Sequence, residues 1–295
     1  MRIAIVGLGG VGGYLAASLV KTSHKVAGFA RGEHLAKIQT SGLKIVEDEK
    51  EWQVNLCAKS LQEADGYFDI VIFCVKSYDL EESCKAIASH IDSNSILISF
   101  SNGVSNADLL RELSDAKVLE GCIYILSHIQ QAGVICKKGD VFAAVFGGDK
   151  DAVQKLSSVF DEANLRYKIP SDIKAAVWKK YIFISAFATL TTYYDANIRD
   201  VYENHYNEAK ALLREIAEVA QTKGVDIYDE IENSLQTAGK VPYDSSTSMH
   251  LDFKNRKRDE LETLSGYIVK EAKRNNIEVP FMEKMYLELQ KRRIS

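Results

Sequence analysis

Proline is scarce, cysteine follows no pairing pattern, and charge of either sign is unremarkable. Three prolines and 18 glycines in 295 residues exclude a collagen-like or proline-rich disordered chain. The five cysteines, Cys57, Cys74, Cys84, Cys122 and Cys136, are odd in number and contain no C-x-x-C pair. That spacing does not support a zinc ribbon, a redox motif or a secreted disulfide framework. Reduced thiols in a cytoplasmic protein, with no metal site, are the simplest expectation. No apolar run reaches the ~18–20 residues that a membrane span needs, so no membrane association is expected. An apolar stretch follows Met1-Arg2, but Gly7, Gly9, Gly10, Gly12 and Gly13 interrupt it, and a helical signal core would not favour them. It is read as mature protein. Lys plus Arg number 37 against 41 Asp plus Glu, a formal net charge of −4. Nucleic-acid-binding domains usually carry a basic excess, so no nucleic-acid partner is expected. The basic run Lys254-Asn255-Arg256-Lys257-Arg258 is followed at once by Asp259-Glu260 and reads as a solvated loop or helix start.

What remains is 46% hydrophobic and 26% charged, with no internal repeat, and long enough for two domains at ~150 residues each. The first thirty residues carry the strongest signal. Ile3-Ala4-Ile5-Val6 reads as a buried parallel strand. It runs into Gly7-Leu8-Gly9-Gly10-Val11-Gly12, which fits G-x-G-x-x-G. A helix is expected over Tyr14–Lys21 and a second strand over His24–Ala30. Strand, glycine turn, helix and strand together are the context in which the fingerprint signifies dinucleotide binding. The first glycine permits the turn, the second lets backbone approach a pyrophosphate, and the third lets helix pack on strand. Helix amides and the positive end of its dipole then face the phosphates. An NAD site usually ends its second strand with Asp or Glu. Here Ala30-Arg31-Gly32 stands there. A guanidinium pairs with a 2′-phosphate, so the expected cofactor is NADP(H).

More strand–helix alternation follows: a strand over Asp69–Val75 with a helix from Leu80, and a strand over Ser95–Ser99 with a helix from about Ser105. Lys117–Leu119 continues the pattern. Ile123–Ile129, Gly133–Lys137 and Val141–Phe146 read as short antiparallel strands closing the sheet. Lys76 and Asn102 lie on loops leaving strand C-termini, where open α/β sheets bind ligands. Near Ile169-Pro170-Ser171 the pattern changes to helices, expected over Ile173–Tyr194, Val201–Lys223, Arg258–Asn275 and Phe281–Lys291. The expected domains are therefore 1–168 and 169–295. In the second, Lys180, Ile184, Ala188 and Thr191 share one helix face. A lysine among apolar neighbours must reach solvent or find an acidic partner. Apolar faces of amphipathic helices would also support a homodimer.

The chain resembles the ketopantoate reductase (2-dehydropantoate 2-reductase) family over nearly its whole length. The resemblance rests on the glycine fingerprint, Arg31, Val75-Lys76, Asn102-Gly103-Val104, Trp178-x-Lys180, Ser248-Met249-x-x-Asp252 with Glu260 and Gly266, and Asn276–Pro280. It implies an α/β fold, with a Rossmann-type dinucleotide-binding domain joined to an all-helical domain of the 6-phosphogluconate-dehydrogenase C-terminal-like type and a cleft site between them. It also implies NADPH-dependent reduction of 2-dehydropantoate to (R)-pantoate in pantothenate biosynthesis. Gly7, Leu8, Gly9, Gly10, Val11 and Gly12 would hold the pyrophosphate and Arg31 the 2′-phosphate. Lys76 and Asn102 would line the cofactor and substrate cleft. Lys180 would protonate the substrate carbonyl oxygen, Ser248 would help bind substrate, and Glu260 would contact substrate or nicotinamide ribose and help set the protonation of the lysine. The family typically carries asparagines four and eight residues after the lysine, where this chain has Ile184 and Ala188. Either Ser185, Thr189 or Thr191 supplies replacement contacts, or the substrate is a less hydroxylated 2-oxo acid or ketone. Two other readings remain open: an NADP-dependent hydroxyacid dehydrogenase with a different substrate, and a non-catalytic NADP(H)-binding sensor.

Overall fold

Continuous apolar runs make the centre of the sheet. A computed structural model describes residues 1–294, and their contacts divide into two units. The first holds Met1–Ser101 with Ser105–Ile173, and the second Asn102–Val104 with Lys174 onward. The division after Ile173 differs from the one expected after residue 168. Contacts also assign Asn102–Val104 to the second unit, which no periodicity in the sequence marks.

The first unit begins with β1 (Arg2–Val6), α1 (Gly10–Leu19), β2 (Lys25–Phe29) and α2 (Gly32–Ser41). Three short strands follow, β3 (Leu43–Glu47), β4 (Lys50–Val54) and β5 (Cys57–Lys59). Then come β6 (Ile70–Phe73), α3 (Leu80–Ile87), β7 (Ile96–Ser99), α4 (Asn106–Leu113), β8 (Lys117–Gln131), β9 (Val134–Gly147), α5 (Lys150–Glu162) and β10 (Tyr167–Lys168). The sheet runs β4-β3-β9-β8-β7-β6-β1-β2-β5, with β10 beside β9. Pairing from β5 through β2, β1, β6 and β7 to the start of β8 is parallel. Ile3, Ala4, Ile5 and Ile70–Phe73 are fully buried. Strands covered on both faces select such unbroken apolar sequences, and the topology is the mixed α/β, Rossmann-like plan.

The three short closing strands expected between residues 123 and 146 are instead parts of two long ones. β8 pairs with β7 over its first residues and antiparallel with β9 thereafter, with register shifts near Ile125/Ser127 and Ile129/Gln131. Such irregularities bend a strand without ending it, so interruptions in the alternation concealed the continuity. The helix expected from Tyr14 begins at Gly10, because the last glycines of the fingerprint form its first turn.

The second unit is helical among its described residues: α6 (Ile173–Tyr194), α7 (Ile198–Asn204), α8 (Tyr206–Thr222), α9 (Asp229–Ala238), α10 (Ser248–Lys254), α11 (Tyr267–Arg274) and α12 (Pro280–Ile294). α6 carries the core, with Trp178, Ile182, Ala186, Phe187 and Leu190 packed against Leu212, Ile216, Leu264 and Met282. The helix expected over Val201–Lys223 breaks at His205, whose backbone leaves the helical region. Glu262–Gly266, inside another expected helix, is a π-helical stretch leading into α11. Among the described residues no helix is long and apolar enough to cross a membrane.

Candidate functional site

The glycine turn joins β1 to α1, and its geometry separates the roles of its glycines. Gly7 has φ +95°, a conformation that favours glycine, and a Cβ there would lie 2.8 Å from the Val75 nitrogen. A Cβ on Gly12 would lie 1.9 Å from the Gly7 carbonyl oxygen and 2.9 Å from Cys74 Cβ. Gly10 lies against the Ser127 backbone, 2.4 Å from where a Cβ would be. Gly9 differs from all of these: a Cβ there would meet nothing within 4 Å. It would fill the open space before α1, where no side chain caps the helix and no acid occupies the first turn. Free amides, a positive dipole end and open space suit a pyrophosphate. Leu8 is buried beneath the turn, and its carbonyl accepts a bond from His34 Nε2 at 2.8 Å. Val11 packs against the sheet core.

Arg31 stands where β2 ends and caps no helix amide. Its guanidinium donates to Asp79 Oδ2 at 2.9 Å. Lys76 stands three residues beyond the end of β6 and opens a single 3₁₀ turn over Ser77–Asp79. Ser101 Oγ donates to the Val75 carbonyl at 2.6 Å, so the loops leaving β6 and β7 lie side by side. Two residues of this site, His34 and Asp79, were not found by sequence reasoning. Asp79 carried one signal, its place just past the C-terminus of the strongest strand. His34 carried none.

In the second unit Lys180 Nζ donates to Asn102 Oδ1 at 3.1 Å. Residues far apart in sequence thus meet because Val104 seats the Asn102 segment on the helical core. The adjacent lysine goes elsewhere. Lys179 bonds Glu230 at 3.0 Å and Asp229 at 3.3 Å on α9, and the Glu230 bond raises its pKa. Ser248 is the exposed first residue of α10, whose cap is Thr247. Glu260 is buried just ahead of the π-helical stretch. Its neighbour Asp259 serves structure, pairing with Arg293 at 3.0 Å and accepting from the Leu261 amide at 2.9 Å.

The hydroxyls considered as substitutes at the Ile184 and Ala188 positions are engaged within the fold. Ser185 donates to the Leu264 carbonyl at 3.0 Å. Thr189 donates to the Ser185 carbonyl and meets Ser265 at 2.7 Å. Thr191 bonds the Phe187 carbonyl and meets Thr247 at 2.8 Å. Ala188 is buried in the core and Ile184 packs at its edge. Ile184 and Ala188, one and two turns beyond Lys180 on α6, therefore present only hydrocarbon.

Residues 3–148 match the model of the ketopantoate reductase PanE/ApbA family and residues 172–293 that of its C-terminal domain. An uncharacterized oxidoreductase, YkpB, of Bacillus subtilis is 28% identical, covering 98% of each chain. The crystal structure of a PanE/ApbA family ketopantoate reductase from Ralstonia eutropha superposes with a TM-score of 0.92 at 26% identity, covering 99% of this chain and 98% of that one. A D-mandelate dehydrogenase in ternary complex with NADH and anilino(oxo)acetate shares the fold, with a TM-score of 0.91 at 19% identity over 99% of this chain and 98% of that one.

Proposed function

The chain belongs to the ketopantoate reductase family of oxidoreductases, and we propose that it uses NADPH to reduce 2-dehydropantoate or a closely related 2-oxo acid to the 2-hydroxy acid. The observation that carries this reading is the bond from Lys180 to Asn102. It fixes the direction of an ammonium group that would serve a carbonyl oxygen.

Gly7 to Gly12 would hold the pyrophosphate and Arg31 the 2′-phosphate, and Lys76 would contact the nucleotide. When bound, the reduced nicotinamide supplies a hydride to the carbonyl carbon. Negative charge then grows on the carbonyl oxygen. Lys180 stabilises that charge and donates its proton, leaving a neutral amine that takes a proton back before the next turnover. Asn102 accepts from the Lys180 ammonium and so orients it. Ser248 and Glu260 bind and position the substrate. The apolar stems of α6 around Lys180 limit competing solvent, which strengthens the ammonium–oxygen interaction.

The substrate's far end has a second reading. Ile184 and Ala188 offer no hydrogen bond one and two turns beyond Lys180, and the hydroxyls of Ser185, Thr189 and Thr191 already donate within the fold. An unmade buried bond costs ~1–3 kcal/mol, so a 2-oxo acid with an apolar tail is favoured over a hydroxylated one. A homodimer remains part of the proposal, supported by a dimeric ketopantoate reductase of Staphylococcus aureus that shares the fold.

The test is a panel of 2-oxo acids, including ketopantoate and its analogue lacking the hydroxyl, with NADPH oxidation as readout. Turnover is expected, and Lys180→Ala should reduce it by ~100-fold or more while leaving nucleotide binding intact. Nucleotide binding with no turnover of any 2-oxo acid would instead establish a non-catalytic binder. Activity confined to oxidation of an unrelated hydroxy acid with NADP⁺ would establish a dehydrogenase.

A further inference from the structure

β2 and β6 flank β1 on opposite sides, so the loops leaving them stand on either side of the glycine turn. Arg31 comes from the first loop and Asp79 from the second. Their pair is lopsided: the Arg31 side chain is 85% exposed, whereas that of Asp79 is only 13% exposed. An outlying guanidinium reaches back to a recessed carboxylate. Asp79 also occupies the position preceding α3, where an Asp ordinarily accepts from helix amides. Its side chain makes no such capping bond, and it accepts from Arg31.

We propose that Asp79 is a specificity-determining residue for the nucleotide, one that limits the preference for a 2′-phosphate that Arg31 alone would give. The inference rests on the reading that the glycine turn holds a nicotinamide dinucleotide. A 2′-phosphate must share Arg31 with an existing charge-assisted bond, and it arrives beside the negative charge of Asp79. Both effects oppose NADPH. Neither opposes NADH, whose ribose hydroxyl donates to a carboxylate in the usual NAD site. The acid that the sequence lacks at the end of β2 is thus supplied by the loop after β6. The two ends of β1's neighbours together set a balance that neither residue sets alone.

The experiment measures dissociation constants of NADPH and NADH by titration calorimetry on the full chain, without substrate. Asp79→Asn should tighten NADPH by about tenfold and leave NADH unchanged or weaker, so the ratio shifts toward NADPH. Asp79→Ser should shift the ratio in the same direction, which guards against a local effect of the amide. Arg31→Ala should weaken NADPH and reduce the gain from Asp79→Asn, since that gain comes partly from freeing Arg31. An unchanged NADPH-to-NADH ratio in both Asp79 variants would overturn the proposal, as would equal weakening of both nucleotides, the mark of a purely structural role. Failure of the unsubstituted protein to bind either nucleotide would overturn the underlying reading instead.

Discussion

His34 ties the glycine turn to the end of the strand hairpin. Its Nε2–H donates to the Leu8 carbonyl at 2.8 Å, and its Nδ1 accepts from the Gly133 amide at 3.0 Å. That pair of bonds requires a neutral ring. Burial holds its pKa below the usual 6.5, against a smaller opposing effect from the Leu8 bond. As pH falls below ~6.5 the unfolded chain takes up this proton before the folded one does, so the protein loses stability in that window. Its contribution is complete above 6.5 and decreases below it until the folded ring also protonates. Urea midpoints are therefore expected to fall between pH 7.5 and 5.5, and to fall less in His34→Gln. Equal falls in both proteins would show that His34 does not carry this dependence. Neighbouring residues also show what sequence leaves unresolved at this scale. Lys179 and Lys180 look interchangeable in a string, but one helical step turns a side chain by about 100°. That rotation sends Lys179 to the acids of α9 and Lys180 to Asn102.

Among the elements, α6 is bonded to the π-helical stretch that follows Glu260. Tyr181 Oη lies 2.9 Å from the Thr263 carbonyl and 2.8 Å from that of Leu264. Burial pushes its pKa well up, so the phenol stays protonated and donates. Ser185 and Thr189 add bonds to Leu264 and Ser265. π-helical stretches often occur at functional sites, and this one begins two residues after Glu260. Tyr181→Phe should cost ~1 kcal/mol in urea unfolding, the loss of a buried hydrogen bond. It should also lower kcat by displacing Glu260. Lost stability with kcat unchanged would mean that the stretch supports the fold alone. Strand positions β1, β2, β6 and β7 were legible because short apolar runs there alternate with helix-compatible segments. α2 and β3 to β5 were not legible: their residues are partly exposed and alternate irregularly. The break at His205 carries neither proline nor glycine to announce it.

For the molecule as a whole, the two units have separate cores, and the proposed reading gives nucleotide binding to the first and proton transfer to the second. A nucleotide at ~100 times its dissociation constant should stabilise the native protein by ~2.7 kcal/mol. Gly12→Ala should abolish that shift, because its Cβ would meet the Gly7 carbonyl oxygen at 1.9 Å. Overpacking of that kind also costs ~1–3 kcal/mol in stability. Lys180→Ala should keep the full shift. If it lost the shift too, Lys180 would belong to nucleotide binding rather than proton transfer.

The sequence by itself determined the glycine turn, the parallel strands that flank it and the long apolar helix bearing Lys180. Each of these follows from local sterics or from periodic burial within one short segment. Only the tertiary structure decided that Asn102 meets Lys180, that Asp79 meets Arg31, and that the hydroxyls of α6 turn inward. Those pairings depend on strand order and on the rotation of one element against another, and no spacing along the chain encodes which remote partner will fill a side chain's last hydrogen bond.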